Sequence, residues 1–431
     1  MCTHLRTHRE PWIDYVKWYT GTGMNNELIC VPCADRREQQ LPIAVESICQ
    51  ECFTYATTEV LTLARTAGKP EVRERLEPFN STLRDTSLPE ELGTIIDLAP
   101  VNTRESSWLL LSEGGQISRF DCETLEFVNL ARSSLVPEPD QKTFDNRVAK
   151  RRLHASNNGE FAAVVNDYGR FGQVIDLRSG EVTLELDGGD YYPNTVPFSF
   201  AFADLNTSVI AIHRTAWNRL DLSDPATGKL LTERGPTSYS SDEKRPEHYL
   251  DYFHGALYVS PGSTRILDDG WVWAPVGGPV VWSLQSWLSE NAWESEDGPS
   301  RTELCWRHYY WDNGMTWLDQ TRIAIAGIGD DDADMIEGAR IFDVTALHTT
   351  PGWFAEWDAA EITSFAGPTG LFFSDGVSLF TSGSSGLSRW DFIDGVRTGH
   401  LRDFQPTHHH RGSRELVQLK EGVLLRWNTD G

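Results

Sequence analysis

Short apolar runs that alternate with polar residues and turns fill the chain from Gly93 onward. Each run is rich in β-branched or aromatic residues, as in residues 160–166 and 208–212, and Gly, Asp, Asn and Ser separate the runs. This alternation predicts β-strands, whereas the period typical of helices is almost absent from the region. We therefore expect residues 93–431 to form a mainly β domain.

The first 92 residues follow other patterns. Residues 12–29 alternate around a turn rich in Gly, Thr and Asn and predict a hairpin. Residues 53–67 carry apolar side chains at helical spacing and end at a Gly-Lys-Pro sequence, and residues 70–76 predict a second short helix that begins with Pro. Residues 77–92 contain two prolines and are typical of a linker.

A short motif recurs along the β region, in which a strand ends in a bulky residue followed by Asp. Its five clear copies are Phe120-Asp121, Ile175-Asp176, Leu220-Asp221, Phe342-Asp343 and Trp390-Asp391. Weaker copies stand at Trp282-Ser283 and Trp427-Asn428, and successive copies lie 37 to 62 residues apart. A period of about 40–60 residues built from strands and turns indicates a β-propeller. Seven copies predict seven blades, with six blades as the alternative.

The clearest copy lies in residues 383–395, where a turn rich in Gly and Ser precedes the strand that ends in Trp390-Asp391. This segment resembles a blade of the WD-repeat family, and in outline the resemblance covers residues 93–431. It implies a closed ring of four-stranded blades whose loops are available for recognition. Residues 415–427 supply only two or three strands of the last blade, so we expect an N-terminal strand near residues 94–98 to complete it.

Five of the seven cysteines lie within the first 52 residues. Cys30 and Cys33 form one C-x2-C pair, Cys49 and Cys52 form another, and fifteen residues separate the two pairs. Two such turns bring four thiolates to one ion in a tetrahedron, as in structural zinc sites. Residues 1–56 resemble the zinc-ribbon and treble-clef families, and we expect a module whose folding depends on the zinc.

Two further residues are candidate ligands for the same ion. Cys2 and His4 would lie beside Cys30 and Cys33 if the predicted hairpin folds back, so these four residues form an alternative site. A module without metal is the remaining alternative. The predicted organisation is thus a zinc-binding module (1–56), a helical connector and linker (57–92) and a β-propeller (93–431).

Charge excludes some classes of function. The chain has 63 acidic and 38 basic residues, a net charge of −25, of which −23 falls in residues 81–431. A chain this acidic is not a general binder of phosphate backbones. Nucleic-acid binding would need a basic patch in the N-terminal module, where the candidates are Arg6, Arg9, Lys17, Arg36 and Arg37. The sequence has no apolar run long enough to span a membrane and no secretory signal, so we expect no membrane partner and a cytoplasmic location.

Three clusters in the propeller are candidate sites. Residues 271–317 are rich in Trp and form either a recognition surface or blade packing with an inserted loop. The acidic run 329–334 lacks the spacing of a calcium loop, so we interpret it as a solvated turn. His408, His409 and His410 cannot all face one metal from an extended strand, because side chains alternate there, and we interpret them as a polar loop between blades.

The sequence contains no nucleophile elbow, phosphate-binding loop or H-E-x-x-H helix. Asp167, Asp204 and Asp251 stand near predicted blade starts and are the candidate acids of a central-channel site. We expect a non-catalytic scaffold for protein–protein interaction, monomeric within a hetero-complex, whose acidic propeller favours a basic partner. The alternative is a metal-dependent hydrolase or lyase of the propeller type with its site in the channel.

Overall fold

A computed structural model describes strands Tyr15–Tyr19 and Asn26–Cys30 and residues 71–430, except residues 105, 139–146, 148, 206, 236–238, 240–243, 274, 333–334 and 346–360. The chain divides into two compact units, Met1–Glu71 and Val72–Gly431. In the first unit the two strands pair antiparallel, which confirms the predicted hairpin. The predicted helix at residues 53–67 lies outside the described residues. In the described part of the chain, no helix is long and apolar enough to cross a membrane.

The second unit is a seven-bladed β-propeller, as predicted, and the six-bladed alternative is wrong. From the channel outward, the strands of the first three blades are Ile95–Pro100, Ser107–Ser112, Gln116–Asp121 and Phe127–Arg132; Lys150–Ala155, Phe161–Asp167, Phe171–Asp176 and Val182–Asp187; and Phe200–Leu205, Ser208–Ala216 and Arg219–Ser223. Blade four comprises Phe253–Val259, Arg265–Val272, the interrupted third strand Val276–Gly277 and Val280–Ser283, and the outer pieces Thr302–Glu303 and Arg307–His308.

Blades five to seven complete the ring. Their strands are Met315–Trp317, Arg322–Ile328, Ile336–Asp343 and Glu361–Ala366; Leu371–Ser374, Leu379–Gly383, Gly386–Asp391 and Val396–Leu401; and His408–His410, Glu415–Lys420, Val423–Asn428 and Arg84–Ser87. Two short α-helices, Leu284–Ser289 and Glu294–Asp297, lie in blade four between its third and outer strands, and 3-10 turns occur at Glu90–Leu92 and Pro193–Thr195.

The recurring motif marks the third strand of every blade. Its bulky residue is at most 1% exposed in all seven copies, because it packs between neighbouring blades. The polar residue that follows caps the next turn: Asp391 Oδ1 accepts hydrogen bonds from the backbone amides of Ile393 and Asp394, at 3.0 and 3.1 Å. In the weaker copies, Asn428 and Ser283 accept amide hydrogen bonds in the same way. The motif therefore encodes a buried anchor in each blade and a turn in every blade except blade three, where Asp221 instead binds Arg219 and Arg234.

The ring is closed by a strand from the start of the second unit. Arg84–Ser87 pairs antiparallel with the third strand of blade seven, so the closing strand lies earlier in the chain than the predicted 94–98. Residues near 94–98 instead belong to Ile95–Pro100, the innermost strand of blade one. The buried guanidinium of Arg426 contacts Glu415 of its own blade and Glu123 of blade one, both at 2.9 Å. Blade seven is thereby held to blade one by backbone pairing and by charge.

The predicted helix at residues 70–76 is wrong in the part that the structure describes. Arg73–Glu74 is a short strand that pairs parallel with Val396 and Arg397, on the outer edge of blade six. The backbone amide of Arg75 also donates to the Arg397 carbonyl at 2.9 Å. A helix this short is marginal in water, so pairing with an open sheet edge outweighs local propensity.

Blade three has three strands among the described residues, and a buried arginine fills the space beside its outer strand. The fully buried side chain of Arg234 donates to the carbonyls of Leu220 and Ala292. It also pairs with Asp221 Oδ1 at 3.0 Å and with Glu296 of the second helix. This guanidinium connects blade three to the helical insertion of blade four.

Candidate functional site

One face of the propeller carries the loops that lead into the innermost strands and the loops that join the second and third strands of each blade. In blades three to five these loops present six aromatic residues, which we call the aromatic face: Tyr191, Tyr192, Trp217, Tyr249, Trp273 and Tyr309. Four of them are about half exposed, with exposed fractions of 45% for Tyr191, 48% for Tyr192, 50% for Trp273 and 55% for Tyr309. Apolar surface concentrated in one place is typical of an interaction site, whereas single exposed apolar residues are ordinary.

The rings of the aromatic face contact one another across blade boundaries. Tyr191 lies 4.8 Å from Tyr192 and 5.2 Å from Trp217, measured between ring centroids. Tyr192 lies 5.4 Å from Trp273 with the rings nearly perpendicular. Perpendicular packing is one of the preferred arrangements of aromatic pairs.

A stack of buried rings supports this surface. Phe253 stacks on Trp271 at 4.3 Å and 11°, and Trp271 stacks on Trp311 at 5.0 Å and 9°. Phe253 also contacts Trp217, with 4.5 Å between centroids. Closely packed side chains are restricted to fixed rotamers. The buried stack therefore holds the exposed rings in place before any ligand arrives.

A cleft of about 230 Å³ opens beside Tyr309. The lining residues come from the loops before blades two, three and five and from the 329–335 turn: Arg147, Thr195, Tyr309, Tyr310, Trp311, Asp312, Asn313 and Asp332. Trp311 thus belongs both to the buried stack and to the cleft wall. The aromatic face and the cleft are therefore neighbouring parts of one surface.

The carboxyl group of Asp312 lines the cleft, and that of Asp269 lies behind it. The Asp312 carboxylate accepts a hydrogen bond from Tyr168 Oη and lies 3.6 Å from Arg147 Nε, and the Asp312 amide donates to Asp269 Oδ2 at 2.8 Å. Burial raises the pKa of Asp269 to about 7, against the charge of Arg307, and the nearby Asp312 adds to the rise. Burial also raises the pKa of Asp312, although the Tyr168 hydrogen bond opposes it.

The three acids predicted for a channel site do not come together. Asp167 is buried and pairs with Arg152 Nε at 2.6 Å, at the end of the innermost strands where the aromatic face lies. Asp204 lies near the opposite end of the innermost strand of blade three and accepts a hydrogen bond from Asn157 at 2.5 Å. Asp251 is exposed in the loop before blade four. The predicted grouping is therefore wrong, and the described residues contain no group of three His, Cys, Asp or Glu that could hold a metal.

The three histidines form a strand instead of the predicted loop. His408–His410 is the innermost strand of blade seven, where pairing with Glu415–Val417 satisfies its backbone. His408 Nε2 lies 3.1 Å from Asp97 Oδ1, and His410 Nε2 lies 3.1 Å from the Ser107 carbonyl. His409 packs against Phe373, with 6.2 Å between ring centroids. The side chains thus have separate structural partners.

The packing interpretation of the Trp-rich region is confirmed for most of its residues, and the recognition surface stays a prediction. Most of these tryptophans are core, and those at most 4% exposed are Trp271, Trp282, Trp287, Trp311 and Trp317. Trp273 alone is half exposed among the described tryptophans of this stretch, and it lies on the aromatic face. The described part of the 329–334 run is an exposed turn, as interpreted, and its Asp332 lines the cleft.

The candidate zinc ligands lie outside the residues whose side chains are described. Cys30 ends a strand whose backbone alone is described, and Cys2, His4, Cys33, Cys49 and Cys52 fall outside the described ranges. The same is true of the side chains of Arg6, Arg9, Lys17, Arg36 and Arg37. The zinc site and the basic patch stay predictions.

Tyr191, Tyr192 and Trp217 are site residues that the sequence reasoning missed. The available signal was their position: Tyr191 and Tyr192 stand between Asp190 and Pro193, and Trp217 stands in a two-residue turn. Their position in loops was foreseeable from the neighbouring turn residues. Their convergence was not foreseeable, because the loops belong to different blades.

No family model and no curated protein matches the sequence. Among solved structures, a chain in the crystal structure of the mitotic checkpoint complex is similar, with 12% identity and a TM-score of 0.48. The match covers 84% of this chain and 97% of that chain.

Proposed function

We propose that the protein is a non-catalytic interaction scaffold whose aromatic face binds an extended segment of a protein partner. The observation that carries this proposal is the cluster of half-exposed rings, which includes Tyr191, Tyr192 and Trp273 and spans the loops of neighbouring blades. Tyr and Trp supply large contact areas with few rotatable bonds, which is why they dominate binding hot spots. The perpendicular rings provide the ridges between which alternate side chains of such a segment pack.

The architecture supports recognition because the ligand meets a surface that is already ordered. The buried stack of Phe253, Trp271 and Trp311 holds the exposed rings, so little side-chain entropy is lost on binding. The loops that carry the rings emerge from paired strands, an arrangement in which the scaffold stays rigid while the loop residues determine specificity.

The N-terminal unit has a separate role in this proposal. We propose that Cys30, Cys33, Cys49 and Cys52 hold one structural zinc ion, with Cys2 and His4 as the alternative partners of Cys30 and Cys33. The spacing of the two C-x2-C pairs supports the proposal, and four thiolates leave no open position for catalysis. The zinc would stabilise a unit too small to build a strong core.

A pull-down with matched variants tests the proposed binding face. The full chain, the Tyr192→Ala/Trp273→Ala variant and an Ile393→Ala control are used as baits on lysate of the source cell, with stoichiometric proteins quantified by mass spectrometry. Ile393 is 63% exposed on the turn between the third and fourth strands of blade six, on the opposite face. We expect one or more partners to be retained by the wild-type chain and the control and lost by the double variant, since hot-spot aromatics each contribute about 2 kcal/mol or more.

Two outcomes contradict this proposal. If the double variant retains every partner that the wild-type chain retains, the aromatic face is not the binding surface. If the wild-type chain retains nothing above the level of an unrelated bait, the protein is not a scaffold in that cell.

A further inference from the structure

We propose that the cleft beside the aromatic face binds a cationic side chain, arginine or lysine, of the partner segment. This inference rests on the proposed function and assigns the chemistry of one residue of the ligand. It follows from the groups that line the cleft, from the balance of charge around them and from the size of the cleft.

The lining combines aromatic rings with carboxylates. Tyr309 is 55% exposed at the rim, and Tyr310 and Trp311 form the neighbouring wall. Asp312 and Asp332 contribute a carboxylate each. A guanidinium or ammonium group is attracted both to ring faces and to carboxylates, whereas an anion would be repelled by the two acids and a purely apolar side chain would leave them desolvated.

The nearby basic residues are already engaged. Arg147 lies 3.6 Å from Asp312, Arg307 lies 3.6 Å from Asp269, and Arg152 lies 2.6 Å from Asp167. None of these arginines is therefore a free cation that would draw an anionic ligand into the cleft.

The Asp269 carboxylate, in contrast, lacks a full set of hydrogen bonds, although Arg307 lies 3.6 Å away. Asp269 Oδ1 is buried without a hydrogen-bond partner among the described residues, and the Asp269 side chain lies directly behind the cleft backbone at Asp312. Burial raises the pKa of Asp269 and of Asp312, although the charges of Arg307 and of Arg147 oppose the rise. A cation placed in the cleft would favour the ionised form of both acids, and part of its binding free energy would come from this.

Size limits the occupant to one side chain. The cleft volume of about 230 Å³ is below the 300–1,000 Å³ typical of small-molecule sites. The exposed rings continue away from the cleft, from Tyr192 and Trp273 to Tyr191, and offer contacts for the residues on either side of the cation. One long basic side chain in the cleft, with the flanking peptide on the aromatic face, uses both parts of the surface.

Selection from a random peptide library tests the inference with the full chain as bait. Short random peptides are displayed on phage, and the selected sequences are synthesised with a fluorescent label for anisotropy titrations at low and high salt. Each peptide is also made with its basic residues replaced by Gln. The protein variants are Asp332→Asn and Tyr309→Ala in the cleft, with Asp394→Asn as the matched control, because Asp394 is exposed on the opposite face.

We expect the selected peptides to share an Arg or Lys. We also expect the Gln peptides, and the unmodified peptides on either cleft variant, to bind about tenfold more weakly, a loss that shrinks at high salt. The Asp394→Asn control keeps wild-type affinity.

Selected peptides without a basic residue, or affinities unchanged by both cleft variants, overturn the assignment of a cation. The proposed function then stands if the same peptides lose affinity on the Tyr192→Ala/Trp273→Ala variant. If that variant also binds them with unchanged affinity, or if no peptide is selected, both proposals fail.

Discussion

Arg234 offers a direct test of how blade three is held without a fourth described strand. Its guanidinium is fully buried, contacts Asp221 at 3.0 Å and Glu296, and lies 4.9 Å from the Trp293 ring centroid. Replacement by Met keeps an unbranched, shorter side chain and removes the charge and all donors. Asp221 keeps a partner in Arg219 at 2.8 Å, so Glu296 is the carboxylate that loses its only described cation.

The expected loss in the free energy of unfolding comes from the Glu296 carboxylate, which stays buried without its ion-pair partner. Removal of one partner of a buried ion pair costs about 3–5 kcal/mol, because the other charge stays desolvated and unpaired. That is a large part of the roughly 5–15 kcal/mol that stabilises a typical domain. Adding Glu296→Gln removes the orphaned charge, so the double variant should recover about 1–3 kcal/mol relative to Arg234→Met alone.

The loss should also depend on pH. Burial raises the pKa of Glu296, and Arg234 opposes that rise. Without Arg234 the pKa in the folded state rises further above the unfolded value, so the destabilisation is complete at high pH and is relieved as pH falls and Glu296 binds a proton. Urea unfolding of the full chain, followed by Trp fluorescence at pH 8 and pH 5, measures the free energy of unfolding of wild type and variants. A loss below about 1 kcal/mol at pH 8, equal losses at the two pH values, or no recovery in the double variant would refute this reasoning.

Two further predictions concern protons and metal. Burial lowers the pKa of His154 and of His409 to about 3 from 6.5, so each stabilises the fold above pH 6.5 and loses that contribution, by about 1.4 kcal/mol per pH unit, as pH falls toward 3. His409→Phe should therefore make Tm fall less steeply as pH is lowered. Asp269 binds a proton below about pH 7 in the folded state, so it makes the fold more stable at low pH. This effect is the same in the wild type and the variant and cancels in the comparison. Elemental analysis of the full chain should find one zinc ion. Cys30→Ser should lose the ion, whereas the control Cys122→Ser, which replaces a buried cysteine of the propeller, should keep it. Equal zinc content in both variants contradicts the assignment.

The blade count was predictable because each blade carries its own local code. A buried anchor such as Trp390 and a turn-capping residue such as Asp391 are adjacent in sequence, so the pair can be recognised once in each blade. The motif could be recognised even where the capping residue was Ser283 or Asn428. The hairpin at residues 15–30 was predictable for the same reason, since only six residues separate its two strands in the sequence.

An N-terminal strand was correctly predicted to complete the last blade, but its position in the sequence was wrong. Arg84–Ser87 is polar and has no alternation that distinguishes it from a linker. It becomes a strand because blade seven presents an unpaired edge, and Arg426 meets Thr86 across 340 residues of sequence. Glu74 pairs with Arg397 across 323 residues in the same manner. A local sequence pattern cannot predict which residues pair over such distances in the chain.

The sequence by itself determined the repeating β architecture and the acidic character of the propeller region and favoured seven blades over six, because these depend on neighbours in the chain and on composition. The tertiary structure decided the ring closure and the candidate site. Tyr191, Trp217 and Trp273 belong to loops of different blades, and Asp312 meets Asp269 only where blades four and five adjoin. Whether a Trp such as Trp271 is core or one such as Trp273 is surface depends on which loop packs over it. That is a property of the assembled ring, since burial is set by contacts between segments that the sequence keeps far apart.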